Sequence, residues 1–233
     1  YIMIKISEAF IDAVLELSDN EHSKLSERER ELFGLSSTRL RAFLNNLCSK
    51  ENTKYVEIGT YRGATLLSAV YGNKAKAIGV EHFKYDEREP LRKAPEGTIW
   101  ENMRSHLYAN IERYKDPDVP VNTDAITIVE SDFKQVDWSK IPKFDVCFFD
   151  ITPVNKHDYE SFFNLVWPRI SAGGVAVFSN YSNDHSSKLL DEVIEESGVK
   201  VAWKRKRISS GLSDATKYYS GILILGVDVK DDK

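Results

Sequence analysis

Three carboxylates stand where hydrophobic runs end: Glu57, Glu81 and Asp150. Glu57 leads at once into a glycine turn, Ile58-Gly59-Thr60-Tyr61-Arg62-Gly63, after the apolar, β-prone Tyr55 and Val56. A strand passing through glycines into a helix N-terminus is a ligand-binding edge in open α/β sheets. The spacing acid-x-Gly-x-x-x-Gly has two glycines, whereas a dinucleotide fingerprint has three. An acid beside the turn repels a phosphate and suits an ammonium or a sulfonium. S-adenosylmethionine carries both of those cations, and its carboxylate suits a helix N-terminus. A strand–turn–helix with no ligand is the plain alternative.

The later acids extend this chemistry. Glu81 closes the run Ala75–Glu81 about two dozen residues after Glu57, the place where a nucleotide-type fold puts its ribose acid. A carboxylate there can accept both ribose hydroxyls. In Glu130-Ser131-Asp132-Phe133, the acid and ring of Asp132 and Phe133 can take an adenine amine and stack on the base. The same run is also an ordinary helix-cap turn. Asp150 ends Phe144–Asp150, a nearly all-apolar strand, and so lies at the carboxyl edge of the sheet. Asp150 and the nearby His157 are the candidate general bases. A lone histidine in a loop is more often structural than catalytic, and His185 beside Asp184 is a weaker signal.

The elements that position these groups follow from periodicity. Ser7 can cap a first helix carrying Phe10, Ile11, Val14 and Leu15 on one face, and Ser36 or Ser37 a second with Leu40, Phe43, Leu44 and Leu47. The charged stretch Asp19–Arg30 reads as loop or solvated helix. Strands are expected at Tyr55–Ile58, Ala75–Glu81, Ala125–Val129, Phe144–Asp150 and Val175–Phe178, the last entered by a turn at Gly173-Gly174. A helix from Ala64 to about Tyr71, one from Trp100 to about Tyr114, one through Tyr159, Phe162, Phe163, Val166 and Ile170 that Pro168 interrupts, and one stopped at Gly198 lie between them or follow. Val199–Ile208 and Tyr219–Val227 read as two closing strands with no helix between, which makes them antiparallel. Phe83–Thr98 is long, charged and proline-bearing, as expected of a lid or substrate loop. Lys204–Arg207 is a basic run on an edge strand, which discourages aggregation.

Composition narrows the class. The 233 residues are 42% hydrophobic and 29% charged, the make-up of a water-soluble α/β domain with a full core. A net charge of −4 draws the chain neither to nucleic acid nor to an anionic membrane. Cys48 and Cys147 suggest no disulfide framework, and Cys147 reads as a core thiol. No run spans a bilayer and no signal peptide is visible, so a cytoplasmic location is expected.

Glu57-Ile58-Gly59-Thr60-Tyr61-Arg62-Gly63, Glu81, Ser131-Asp132, Phe144–Asp150, Trp167-Pro168 with Gly173-Gly174, and the closing strands occur in register over about residues 54–228. Together they resemble class I S-adenosylmethionine-dependent methyltransferases. Within that class the pattern is most similar to the small-molecule O-methyltransferases of the catechol, caffeoyl-CoA and macrocin types. The resemblance implies a Rossmann-like, seven-stranded, mostly parallel sheet with one antiparallel C-terminal strand and helices on both faces. It implies an N-terminal helical cap over residues 1–50 and a cofactor-binding domain over 51–230. Glu57, Gly59 and Gly63 would hold the methionine end, Glu81 the ribose, and Asp132 with Phe133 the adenine. Thr60, Tyr61 and His82 would complete that site, and Asp150 would face the reacting methyl. Metal-dependent members carry Asp-Asn after the fifth strand, but this chain has Ser179-Asn180. A hydroxyl is a poor ligand for a hard cation. Asp150 and Asn180 remain candidate ligands for Mg2+, with Asp184 or His157 as a further donor.

The implied partner is a small-molecule acceptor, with no nucleic acid and no membrane. The N-terminal helices could form a homodimer contact. Asp150-Ile151-Thr152-Pro153 is not the Asn/Asp-Pro-Pro-Tyr/Phe motif of base-amino methylation. Two other readings stay open: a catalytically silent protein that keeps the cofactor fold, which Ser179 favours, and a NAD(P)-dependent oxidoreductase, which Glu57 disfavours.

Overall fold

The structure, a computed structural model, describes residues 5–84, 96–98, 101–115, 121–152, 154–208 and 221–228. Its strands are β1 (Lys54–Ile58), β2 (Lys76–Glu81), β3 (Ile126–Glu130), β4 (Phe144–Phe149), β5 (Ile170–Phe178), β6 (Val201–Arg207) and β7 (Ile222–Val227). They form one seven-stranded sheet in the order β3-β2-β1-β4-β5-β7-β6. β7 alone runs opposite to the other six strands. The chain order reverses between β1 and β4, which makes their carboxyl ends the crevice where ligands bind in open α/β sheets.

Helices cover both faces. On one side lie α1 (Glu8–Asp19), α3 (Thr38–Leu47) and α4 (Ala64–Val70), whose apolar residues join Tyr55, Val146, Phe148, Val175 and Val177 in a single cluster. The serine caps hold as expected: Ser7 accepts the amide of Phe10 and Ser37 that of Leu40, both at 3.2 Å. On the other side α6 (Lys156–Ser161) and α7 (Asp184–Ser197) pack over Val56, Ile58, Cys147, Phe149 and Phe178. Alternate residues of β1 thus serve opposite cores, as the two-residue period of a strand requires.

The second core is built of rings. Phe149 meets Phe162 at 5.0 Å, Phe133 at 5.5 Å and Phe178 at 5.8 Å between centroids, mostly edge to face. Such pairs are each worth about 1 kcal/mol beyond their burial. They also surround the strand end just before Asp150 with apolar matter.

Three local expectations change. The glycine pair Gly173-Gly174 lies inside β5 and not in a turn before it. Phe144 pairs with Ile170 and Val146 with Val175, so β5 bulges outward between them. The Gly173 carbonyl in that bulge accepts the Ile6 amide at 2.8 Å and ties down the chain ahead of α1. The stretch read as loop or solvated helix contains the short α2 (Glu27–Arg30), whose Glu29 is buried and bonded to Ser26 and to Tyr114 Oη. Pro168 does not simply kink a helix: the helix widens into a π turn at Phe162–Val166 and closes in a 3-10 turn at Trp167–Arg169. The expected helix after residue 100 is α5 (Met103–Arg113). The proposed lid over Phe83–Thr98 lies for the most part outside the described residues, as does the stretch after residue 208 that joins the two closing strands. No helix among the described residues is long and apolar enough to cross a membrane.

Candidate functional site

The glycine turn is shaped first by its neighbours. Gly59 has φ +90°, and a Cβ there would sit 2.0 Å from the Asp150 carbonyl oxygen. Hydrogen bonds from Gly59 N–H to Val80 (3.0 Å) and from Asp150 N–H to Ile58 (2.9 Å) carry the sheet one residue beyond its strands. Gly63 has φ +84°, and a Cβ would lie 2.5 Å from Leu107 of α5. Both glycines are therefore required by packing, with or without a ligand. Between them Tyr61 adopts φ +51°, rare for a residue with a side chain. That geometry aims its amide at Glu81 Oε2, 2.9 Å away.

Glu81 is held at the rim. Its other oxygen accepts the amides of His82 (2.9 Å) and Phe83 (3.2 Å). A carboxylate offers about four acceptor positions, so this pre-oriented group retains capacity for an incoming hydroxyl. His82 is half-buried, and its Nδ1 accepts the Lys84 amide at 2.9 Å.

Glu57 is elsewhere. It is wholly buried, with Tyr55 Oη donating to one oxygen at 2.5 Å and Thr65 Oγ1 to the other at 2.9 Å. Burial, with smaller contributions from the charges of Asp150 and Glu81, pushes its pKa up to about 8 against those two hydrogen bonds. In this state its carboxylate supports the turn from beneath and does not line the cleft where a ligand ammonium was expected. Thr60 is also buried, with its hydroxyl turned onto Gly79. The residue types signalled strand-end acidity, but period-two alternation places Glu57 with Tyr55 on the α3–α4 side.

Asp150 opens to the edge. It is half-buried, and burial raises its pKa to about 6, opposed by the Ser179 hydroxyl that donates to Oδ1 and reinforced by the charge of Glu81. Asn180, at φ +60° just past β5, places Nδ2 3.0 Å from Ser179 Oγ and 3.5 Å from Asp150 Oδ1. The residue that sequence reading treated as a lost metal ligand is thus a hydrogen-bond donor to the candidate base. Adjacency of β4 and β5 was the available signal.

The remaining candidates separate. His157 lies on α6, exposed, 3.5 Å from Glu160, and makes no described contact with Asp150. Asp132 caps a 3-10 turn by accepting the Lys134 amide at 2.9 Å and is half-buried. Phe133 is only 5% exposed, with its ring against Phe149. The ring expected to stack on adenine is committed to the aromatic core. Asp150 and Asn180 come together as the metal reading required, but with Ser179 they offer a single negative charge. No cluster of three His, Cys, Asp or Glu side chains that could hold a metal occurs among the described residues. A hard cation such as Mg2+ does not fit this donor set.

A half-buried acid of raised pKa and a pre-oriented carboxylate, on the strand ends either side of β1, can bind a hydroxyl-bearing, cationic ligand. The family model described as a methyltransferase domain matches residues 56–181, more than half of the chain. No curated protein matches the sequence. Among solved structures, TomG, an O-methyltransferase of Streptomyces achromogenes involved in tomaymycin synthesis and in complex with SAM, is 17% identical. It superposes with a TM-score of 0.51 over 97% of this chain and 92% of that one. Cofactor-bound Rv0187 from MTB is 14% identical, with a TM-score of 0.54 over 95% and 90% of the two chains. The precorrin-6y C5,15-methyltransferase of Geobacter metallireducens is 15% identical, with a TM-score of 0.50 over 81% and 86%. At such identities the likeness is one of fold.

Proposed function

The chain belongs to the methyltransferase-domain family, and on that premise we propose that it transfers a methyl group from S-adenosylmethionine to a hydroxyl oxygen of a small molecule. One observation carries this reading: the amide-held Glu81 and the half-open Asp150 stand at the carboxyl ends of β2 and β4, on either side of the β1 glycine turn, where the charge of Glu81 raises the cost of charge on Asp150. A cationic ligand relieves that repulsion, whereas a pyrophosphate increases it. The same contrast disfavours a NAD(P)-dependent oxidoreductase.

When bound, S-adenosylmethionine supplies an electrophilic methyl group on a positively charged sulfur. The chain's part is binding, orientation and proton removal. Glu81, fixed by three backbone amides, receives the ribose hydroxyls. Asp150 sits where the acceptor hydroxyl must approach, and it takes that hydroxyl's proton as the oxygen gains the methyl group. A base with a pKa near 6 is ionised at neutral pH and still accepts a proton, the condition for general-base catalysis. Ser179 and Asn180 fix the carboxylate's direction. His157 and Mg2+ have no part in this scheme.

Calorimetric titration with S-adenosylhomocysteine, on the natural chain and on Glu81→Ala, tests the cofactor site. S-adenosylhomocysteine release over a panel of phenols, catechols and sugars tests the acceptor class. Binding that is lost in the variant, followed by turnover on a hydroxyl substrate, is the expected outcome. Binding unaffected by Glu81→Ala would reject the assignment of the ribose acid.

A further inference from the structure

A second concavity lies on the α2–α5 side of the glycine turn, apart from the three strand-end acids. It is a cavity of about 600 Å3. One wall is a helical stripe of α5 that includes His106, Asn110 and Arg113, and Arg62 of the glycine turn joins it. The facing residues come from α2 and the segment after it: Arg28, Glu31 and Phe33 among them.

This wall is built and not draped. Arg41, buried to 3% exposure, donates to the carbonyls of Glu29 and Arg30 at 3.1 Å each and to Ser36 Oγ at 2.9 Å, so it clamps both ends of the segment that bears Phe33. Glu29 and Tyr114 are bonded to each other beneath it. Asn110 Nδ2 donates to the Arg62 carbonyl at 2.9 Å, which fixes α5 to the turn. The pinned segment leaves Phe33 52% exposed even with the Arg62 guanidinium over its ring. Each ring of the cavity already lies against a guanidinium: Arg62 over Phe33 at 4.6 Å and Arg28 over Tyr114 at 5.6 Å.

We propose that this cavity binds a small anionic ligand with a planar ring. Guanidiniums match carboxylate and phosphate oxygens in paired hydrogen bonds and also stack on flat rings. Three arginines, Arg28, Arg62 and Arg113, line the space against two glutamates, Glu27 and Glu31. The balance favours an anion, and the exposed Phe33 supplies the stacking face. The site is independent of the methyl-transfer reading, although Arg62 links it to the cofactor turn.

The test is calorimetry or ligand-observed NMR with phenyl phosphate, benzoate, inorganic phosphate, benzylamine and phenylalanine. Phenyl phosphate and benzoate are expected to bind, inorganic phosphate more weakly, and benzylamine not at all. The exposed-residue variant Arg28→Ala/Arg113→Ala should weaken phenyl phosphate about tenfold or more, and Phe33→Ala about threefold. Glu27→Gln/Glu31→Gln should tighten it about twofold by removing opposing charge. Circular dichroism of each variant separates loss of the site from loss of the fold. No binding of either aromatic anion, binding unchanged in the double arginine variant, or a preference for phenylalanine that the glutamine variant abolishes would each overturn the proposal.

Discussion

Glu57 and Asp150 end neighbouring strands, β1 and β4, yet the fold treats them in opposite ways. Glu57 is sealed between Tyr55 and Thr65, and both of its oxygens are satisfied from within. Asp150 stands half open with Ser179 and Asn180 beside it. Both pKa values rise through burial, the first to about 8 and the second to about 6. The difference lies in direction: one acid supports the turn from below, and the other faces the crevice. Strand-end acidity alone does not make an active-site residue; the side of the sheet it points to and its partners do.

The comparison can be broken most severely at its third member. Glu81→Ala removes the rim carboxylate that sits between these two extremes, and S-adenosylhomocysteine affinity should fall about a hundredfold; calorimetry reads it directly. Asp150→Asn should then separate chemistry from binding. Its kcat is expected to drop about 10²–10⁴-fold, while cofactor affinity stays within a few-fold. A parallel collapse of affinity would place Asp150 in cofactor holding instead.

Glu57→Gln tests the sealed acid through stability. A carboxyl group whose folded pKa lies above its unfolded value binds its proton more tightly in the fold. Its contribution is therefore present at low pH and lost as pH rises from about 4.5 toward 8. Replacing it with an amide should flatten that loss, on the order of 3 kcal/mol at pH 8, measured as denaturant midpoints at pH 5 and pH 8. A variant less stable than the natural chain at pH 8 would count against the sealed, proton-holding state. The smallest effect is expected from Ser179→Ala. The Ser179 hydroxyl lowers the Asp150 pKa, so removing it should move the acid limb of the pH–rate profile upward from about 6 by about one unit. An unmoved limb would mean that Asp150 is not the titrating base.

Much of the sheet was legible because its strands are apolar runs closed by acids and glycines, and its seven-stranded, mostly parallel form was implied by the family resemblance. The strand ends at Ile58, Glu81 and Phe149 lie where the residues indicated. What the sequence could not carry was side-chain direction across the sheet. Glu57 and Phe133 have suitable chemistry for a ligand, but alternation and the aromatic cluster turn them inward. The Ser179–Asp150 bond joins residues of two strands that neighbour only in the fold. Glu29 looked like one charge among many in Asp19–Arg30; its burial depends on Tyr114, which lies far along the chain.

The basic run on β6 reaches back to the beginning of the described chain. Arg205 pairs with Glu8 and Asp12, and Arg207 with Asp19, all on α1. Meanwhile β7, made after β6, lies between β5 and β6 in the sheet. During synthesis, therefore, β6 emerges with no strand to pair with, and the latch on α1 cannot engage a settled partner until β7 has been inserted. The first helix and the penultimate strand are joined by the same late event. A chain interrupted before β7 would leave an unpaired, positively charged strand and an unlatched acidic helix, a form that quality-control proteases could distinguish from the finished molecule.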